Sequence, residues 1–128
     1  MQFHTRKLIK PGELNANNTL FGGALLRWID EEAGIYAMTK LGTQKVVTKY
    51  MSEIDFINTA KQGDVIEIGL AFVGIGESSI SFKCEVRNAF TMQSIISIEK
   101  IVFVHVDNEG SSCPHNVSLS DIKSKSII

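Results

Sequence analysis

The chain has 128 residues, 13 basic and 14 acidic side chains, a net charge of -1 and a mean hydropathy of +0.08. That length fits one domain with a self-sufficient core and excludes a second, and 44% hydrophobic residues argue against a disordered chain. A near-neutral balance with a pI of about 6.3 gives no long-range basic field, which argues against a nucleic-acid groove or a membrane-surface patch.

Cys84 and Cys113 stand in no paired spacing, so a reducing compartment is expected. The segment Met1-Gln2-Phe3-His4-Thr5-Arg6-Lys7 has no apolar leader core, and no uninterrupted apolar run approaches the roughly twenty residues that span a bilayer. The expected location is the cytoplasm.

From the N-terminus, Phe3 to Ile9 alternates weakly and stops at Pro11-Gly12, which predicts an edge strand. Asn15-Ala16-Asn17-Asn18-Thr19 is a turn-forming polar stretch running into Phe21-Gly22-Gly23. From Gly23 to Leu41 apolar residues recur at three- and four-residue steps, and Gly42 supplies a stop. This predicts a single helix of about 19 residues, nearly 30 Å long. Strands follow at Val46 to Phe56, Val65 to Val73, Ser79 to Arg87 and about Ser94 to Val106, with Gly63-Asp64 and Gly74-Ile75-Gly76 as turns. In the third of these, Ile80, Phe82, Cys84 and Val86 point inward, and Ser81, Lys83, Glu85 and Arg87 face water. Residues 1–110 are expected to form the domain. Residues 111–128, with six serines, read as a partly disordered tail. The fold class is α+β: one long helix against a curved antiparallel sheet of about five strands, with dimerisation expected because the helix is apolar on more than one side.

Projected on a helical wheel, Gly23, Leu26, Ala33, Gly34 and Ala37 lie within about 60° of Asp30, while Glu31 and Glu32 point toward ordinary surface and Trp28 and Ile35 lie roughly opposite. A carboxylate among small apolar neighbours is retained for a structural bond or for its basicity. Gly22 and Gly23 leave uncovered the unpaired amides of a helix start, where a carbonyl oxygen would be stabilised as it gains charge. Asp30 follows two turns on, a rise of roughly 10 to 12 Å, so one small molecule could span both. Asn15 offers a neutral donor and acceptor from the loop. His4, His105 and His115 are too scattered to ligate zinc, so no metal is expected, and neither a nucleotide fingerprint nor a serine-hydrolase motif occurs.

Taken together, Asn15-Ala16-Asn17-Asn18-Thr19-Leu20-Phe21-Gly22-Gly23, Leu25-Leu26 and Trp28-Ile29-Asp30 resemble the active-site segment of hot-dog-fold acyl-CoA thioesterases of the YciA-like group. Val46-Val47-Thr48, Asp55-Phe56, Gly63-Asp64 and Gly76-Glu77-Ser78-Ser79 resemble its following strands. The resemblance covers roughly residues 5 to 110. It implies a helix wrapped by the sheet, dimers with a continuous sheet, often trimers of dimers, and hydrolysis of acyl-CoA to a free acid and CoA with no cofactor beyond the CoA of the substrate. By position it makes Asp30 the catalytic carboxylate, acting as general base or attacking directly. Asn15 becomes an active-site asparagine supplied by the opposite protomer, and Gly23 with Gly22 the backbone donor to the thioester carbonyl. Phe21, Leu26, Phe56, Gly76, Ser78 and Ser79 are then the expected substrate contacts. Two places depart from that group: Glu77 stands where its members often have a basic or neutral polar residue near the CoA, and Ser112-Cys113-Pro114 replaces a more basic terminal segment. The alternatives are a hot-dog dehydratase or hydratase, which would pair a histidine with the carboxylate, and a non-catalytic acyl-CoA binding module, which has no need of Asp30.

Overall fold

The computed structural model describes residues 1–124. The element order is β1 (Gln2–Leu8), a 3-10 turn at Pro11–Glu13, α1 (Gly22–Leu41), β2 (Val46–Phe56), β3 (Val65–Ile75), β4 (Ser79–Asn88), β5 (Ser94–His105) and α2 (Leu119–Ser124). The strands form one antiparallel sheet in the order β1-β3-β4-β5-β2, so β1 and β2 are its two edges. The expected α+β class, the five strands and the long helix are all present. No helix among the described residues is long and apolar enough to cross a membrane.

α1 ends where Gly42 adopts φ 69°, the left-handed cap that glycine takes without a Cβ penalty, and its amide returns to the Met38 carbonyl at 2.8 Å. The helix seats on the sheet through small residues. Ala33 and Ala37 are sealed, and a Cβ on Gly34 would stand 3.6 Å from the Phe103 ring. Trp28 and Ile29 are buried with them, each worth about 1.5 to 3 kcal/mol relative to exposure. From the sheet, Ile80, Phe82, Cys84 and Val86 are all sealed, as their alternation in β4 predicts. Phe82 stacks on Tyr36 with ring centroids 4.7 Å apart. Burial pushes the Cys84 thiol up to about 12, which fits a purely packing role.

Several details differ from the sequence expectation. Ser81 is buried, and Arg87, expected to face water, donates to Glu67 at 2.6 Å and lies 3.7 Å over the Phe3 ring. Glu67 is 3% exposed on the outer face and is also approached by Arg6 at 3.4 Å. The hydrogen bond from Arg87, helped by Arg6, holds its carboxyl below the usual range despite burial. Glu32 does not point to open surface, since its Oε2 accepts a 2.6 Å hydrogen bond from the Thr5 hydroxyl. Beyond residue 110 the described residues are mostly exposed and are anchored to the domain at a few points. Ser112 bridges to Val106, Ile122 of α2 is 1% exposed, and the Ile122 carbonyl accepts from the buried Lys40 ammonium at 2.9 Å. Residues 125–128 lie outside the described residues.

Two predictions follow from the outer face. An added Cβ at Gly69 would stand 2.7 to 2.8 Å from the Phe3 ring, so Gly69→Ala should cost about 1 to 3 kcal/mol in a denaturant melt, and Phe3→Leu should recover part of it. Because the folded-state value of Glu67 is depressed, its stabilisation is present above the unfolded glutamate range and is lost as pH falls through the folded value. The stability gap between the native chain and Glu67→Gln should therefore be widest near pH 7 and shrink on acidification.

Candidate active site

The loop before α1 is held as a small hairpin. Leu14 bridges Leu20, the Phe21 amide donates to the Glu13 carbonyl at 2.9 Å, and the Leu20 amide donates to the Ala60 carbonyl at 2.8 Å. Phe21 is the cap residue, with extended backbone and no side-chain cap. Its carbonyl takes the amides of Ala24 and Leu25, leaving those of Gly22 and Gly23 without an acceptor among the described residues. Both glycines lie close under aromatic rings. A Cβ on Gly23 would lie 2.7 Å from the Phe21 ring and one on Gly22 3.3 Å from the Phe56 ring. Phe21 and Phe56 are themselves more than half exposed. The helix start is thus a pair of free amide donors, carrying the positive end of the dipole, between two apolar walls.

Asn15 closes the turn in that loop. Its Oδ1 accepts the amides of Asn17 at 2.9 Å and Thr19 at 3.2 Å, and its Nδ2 donates to Thr19 Oγ1 at 3.0 Å. One Nδ2 hydrogen is left uncommitted. No hydrogen bond joins Asn15 to Asp30 within the chain.

Asp30 is half buried, on the flank of α1 that faces β2. It sits beside sealed Ala33 and Ala37 and half-buried Leu26, the apolar stripe expected from the helical wheel. Its Oδ1 accepts a 2.6 Å hydrogen bond from the Thr48 hydroxyl on β2. This bond fixes the carboxylate and leaves Oδ2 facing accessible space, the arrangement of a base whose orientation is set by a neighbouring donor. Thr48 was not singled out by the sequence reading. Its only trace there is its place in Val46-Val47-Thr48, because a threonine in a strand is ordinary.

Gly76, Ser78 and Ser79 form the β3–β4 corner. The Gly76 amide donates to the Ser79 carbonyl at 3.1 Å, and the Ser78 carbonyl accepts the His105 amide at 2.7 Å. With Glu77, Ser112, Cys113 and Pro114, Ser78 lines a cavity of about 220 Å³. This corner neighbours the end of β5 that pairs with the start of β2, whereas Phe56 and the helix start stand at the other end of β2. Some nine residues of strand, about 30 Å, separate the two ends. Within one protomer the corner and the helix start are therefore not brought together. No group of three or more histidine, cysteine or acidic residues able to hold a metal occurs among the described residues.

Residues 17–94 match the family model described as the thioesterase superfamily. Over 113 residues the chain is 30% identical to an uncharacterized acyl-CoA thioester hydrolase of Haemophilus influenzae, covering 84% of this chain and 73% of that protein. A hexameric hotdog fold thioesterase of Campylobacter jejuni matches with a TM-score of 0.77 at 27% identity, over 93% of this chain and 91% of that one. The acyl-CoA hydrolase of Staphylococcus aureus, solved with butyryl coenzyme A and coenzyme A, matches with a TM-score of 0.71 at 29% identity, over 86% of this chain and 66% of that one. It has also been solved as alanine mutants of an asparagine and of an aspartate fifteen positions further on, the same spacing as Asn15 and Asp30.

Proposed function

The chain belongs to the thioesterase superfamily and has its hot-dog fold, and from that membership we propose that it hydrolyses acyl-CoA to a carboxylic acid and CoA with Asp30 as general base. The observation that carries this reading is the Asp30 carboxylate, pinned by Thr48 and open to water, on a helix whose first two amides are free donors. Water held by Asp30 Oδ2 attacks the thioester carbonyl, and the resulting oxyanion is stabilised by backbone N–H groups at Gly22 and Gly23. Phe21 and Phe56 wall that helix start, with Leu26 placed on the Asp30 stripe for the acyl chain. The two unpaired thiols support activity in the reducing cytoplasm.

Distance decides how the parts combine. The reacting carbon must lie about 3 to 3.5 Å from the attacking oxygen, with its own oxygen on the amide donors. Inside one protomer the donors and Asp30 are two helical turns apart, a rise of roughly 10 to 12 Å. A single protomer therefore cannot place both on one carbonyl. Asp30 and Thr48 flank the early part of β2, and the Gly22-Gly23 turn flanks its end at Phe56. Antiparallel pairing of β2 with β2 of a second copy would set one protomer's Asp30 against the other's helix start and its Asn15 loop. It would also bring the other's Phe56 end toward the Gly76 to Ser79 corner, a place for the CoA portion. Exposed Val47, Tyr50, Ile54 and Phe56 on this open edge support that pairing, and the hexameric relative supports assembly of such dimers in threes.

Asp30→Asn should lower kcat for CoA release by about 100-fold or more with little change in melting temperature. Thr48→Val should lower kcat by less and leave KM nearly unchanged, and Thr48→Ser should restore it, as a positioning hydroxyl requires. Unchanged rates for Asp30→Asn would overturn the assignment. Separately, Asp30→Asn and Asn15→Ala chains co-expressed with different tags should show more activity as mixed dimers than either parent. Random pairing would leave about one quarter of sites with both residues intact.

A further inference from the structure

On the flank of α1 away from Asp30, between the helix and strands β1 and β3, lies a cavity of about 300 Å³, at the lower end of the sizes that small-molecule sites take. A register shift builds its polar wall. Lys7 and Thr5 pair with Ile66 and Ile68 on the helix-facing side of β3, but the ladder slips between Phe3 and Thr5. Phe3 therefore falls on the outer face over Gly69, while Gln2, opposite Leu70, returns to the inner face. The bulge at His4 thus lets Gln2, His4 and Thr5 line one space, which a regular strand would not permit. Across from them stand Glu32 and Tyr36 of α1, with Ile68 and Leu70 beneath.

Tyr36 is 7% exposed, yet its phenol has no hydrogen-bond partner among the described residues. Among the described residues no buried side-chain nitrogen or oxygen is sealed off without a partner, so this hydroxyl keeps some exposure, and Tyr36 is one of the residues that line the cavity. Its phenol is protonated and a donor at neutral pH, and burial moves its pKa further up. Glu32 is held by Thr5 through Oε2 only, leaving Oε1 as an acceptor on the same wall. Half-exposed Ile35 supplies an apolar rim.

We propose that this cavity is a second binding site, for a small uncharged amphiphile whose terminal hydroxyl or primary amide accepts from Tyr36 Oη, donates to Glu32 Oε1, and trails an aliphatic body over Ile68 and Leu70. Glu32 and Tyr36 stand one turn apart on the same face of α1, so one polar end group can be offered to both. A carboxylate of the same length would face Glu32 and is rejected.

The test uses the full chain with labelled isoleucine and leucine methyl groups, titrated with 1-hexanol, hexanamide and hexanoate at pH 7. Both neutral probes should shift the Ile68 and Leu70 methyl resonances, with hexanoate at least about tenfold weaker. Tyr36→Phe, which keeps the ring on Phe82, should weaken the neutral probes about three- to tenfold, and Glu32→Gln should narrow the gap to hexanoate. The proposal is overturned if neither neutral probe moves those methyl groups, if hexanoate binds as tightly, or if Tyr36→Phe binds like the parent. Should Tyr36→Phe fail to fold, an unaltered hexanoate gap in Glu32→Gln overturns it instead.

Discussion

The seat of α1 on the sheet is the constraint from which the rest of the molecule follows. Ala33, Gly34 and Ala37 bring the helix backbone down onto the sheet, where the Phe103 ring of β5 would meet a Cβ at Gly34 at ordinary contact distance. That approach fixes the rotation of the helix about its axis. With the rotation fixed, residues at the two shoulders cannot choose their environment: Asp30 meets Thr48 on the β2 side, and Glu32 meets Thr5 on the β1 side. At the start of the helix Gly22 and Gly23 keep their amides without an acceptor among the described residues, beside the Phe21 and Phe56 rings.

Polar groups on the shoulders are therefore supported from the strands rather than from the helix. This division suits a catalytic carboxylate, because the donor that orients it belongs to a separate, hydrogen-bonded element and does not move with it. At the far end of α1, the buried Lys40 ammonium is held by the Ile122 carbonyl and lies 5.6 Å over the Tyr36 ring, so the last short helix fastens the end opposite the Gly22-Gly23 turn.

Much of this was legible in the sequence wherever a period or a stop residue carried the information. The strict alternation of β4 placed all four of its inward residues, and Gly42 marked the end of the helix because its left-handed backbone favours glycine. Asp30 stood out because an acid interrupts a stripe of alanines and glycines. Thr48 did not, since a strand threonine is unremarkable until its partner across space is known. The Phe3 ring over Gly69, the Arg87–Glu67 pair and the docking of Ile122 are likewise long-range pairings with no local signature. The irregularity at His4 was invisible for another reason: a weakly amphipathic edge segment reads nearly the same with either parity.

That irregularity matters beyond the space it creates. β1 is bonded to one neighbour only, and the carboxylate shoulder leans on the strand at the far margin of the sheet. A one-residue insertion or deletion near the amino end would thus exchange which side chains look inward at one margin without touching the Asp30–Thr48 contact near the other. The two rims of this small fold can therefore drift separately.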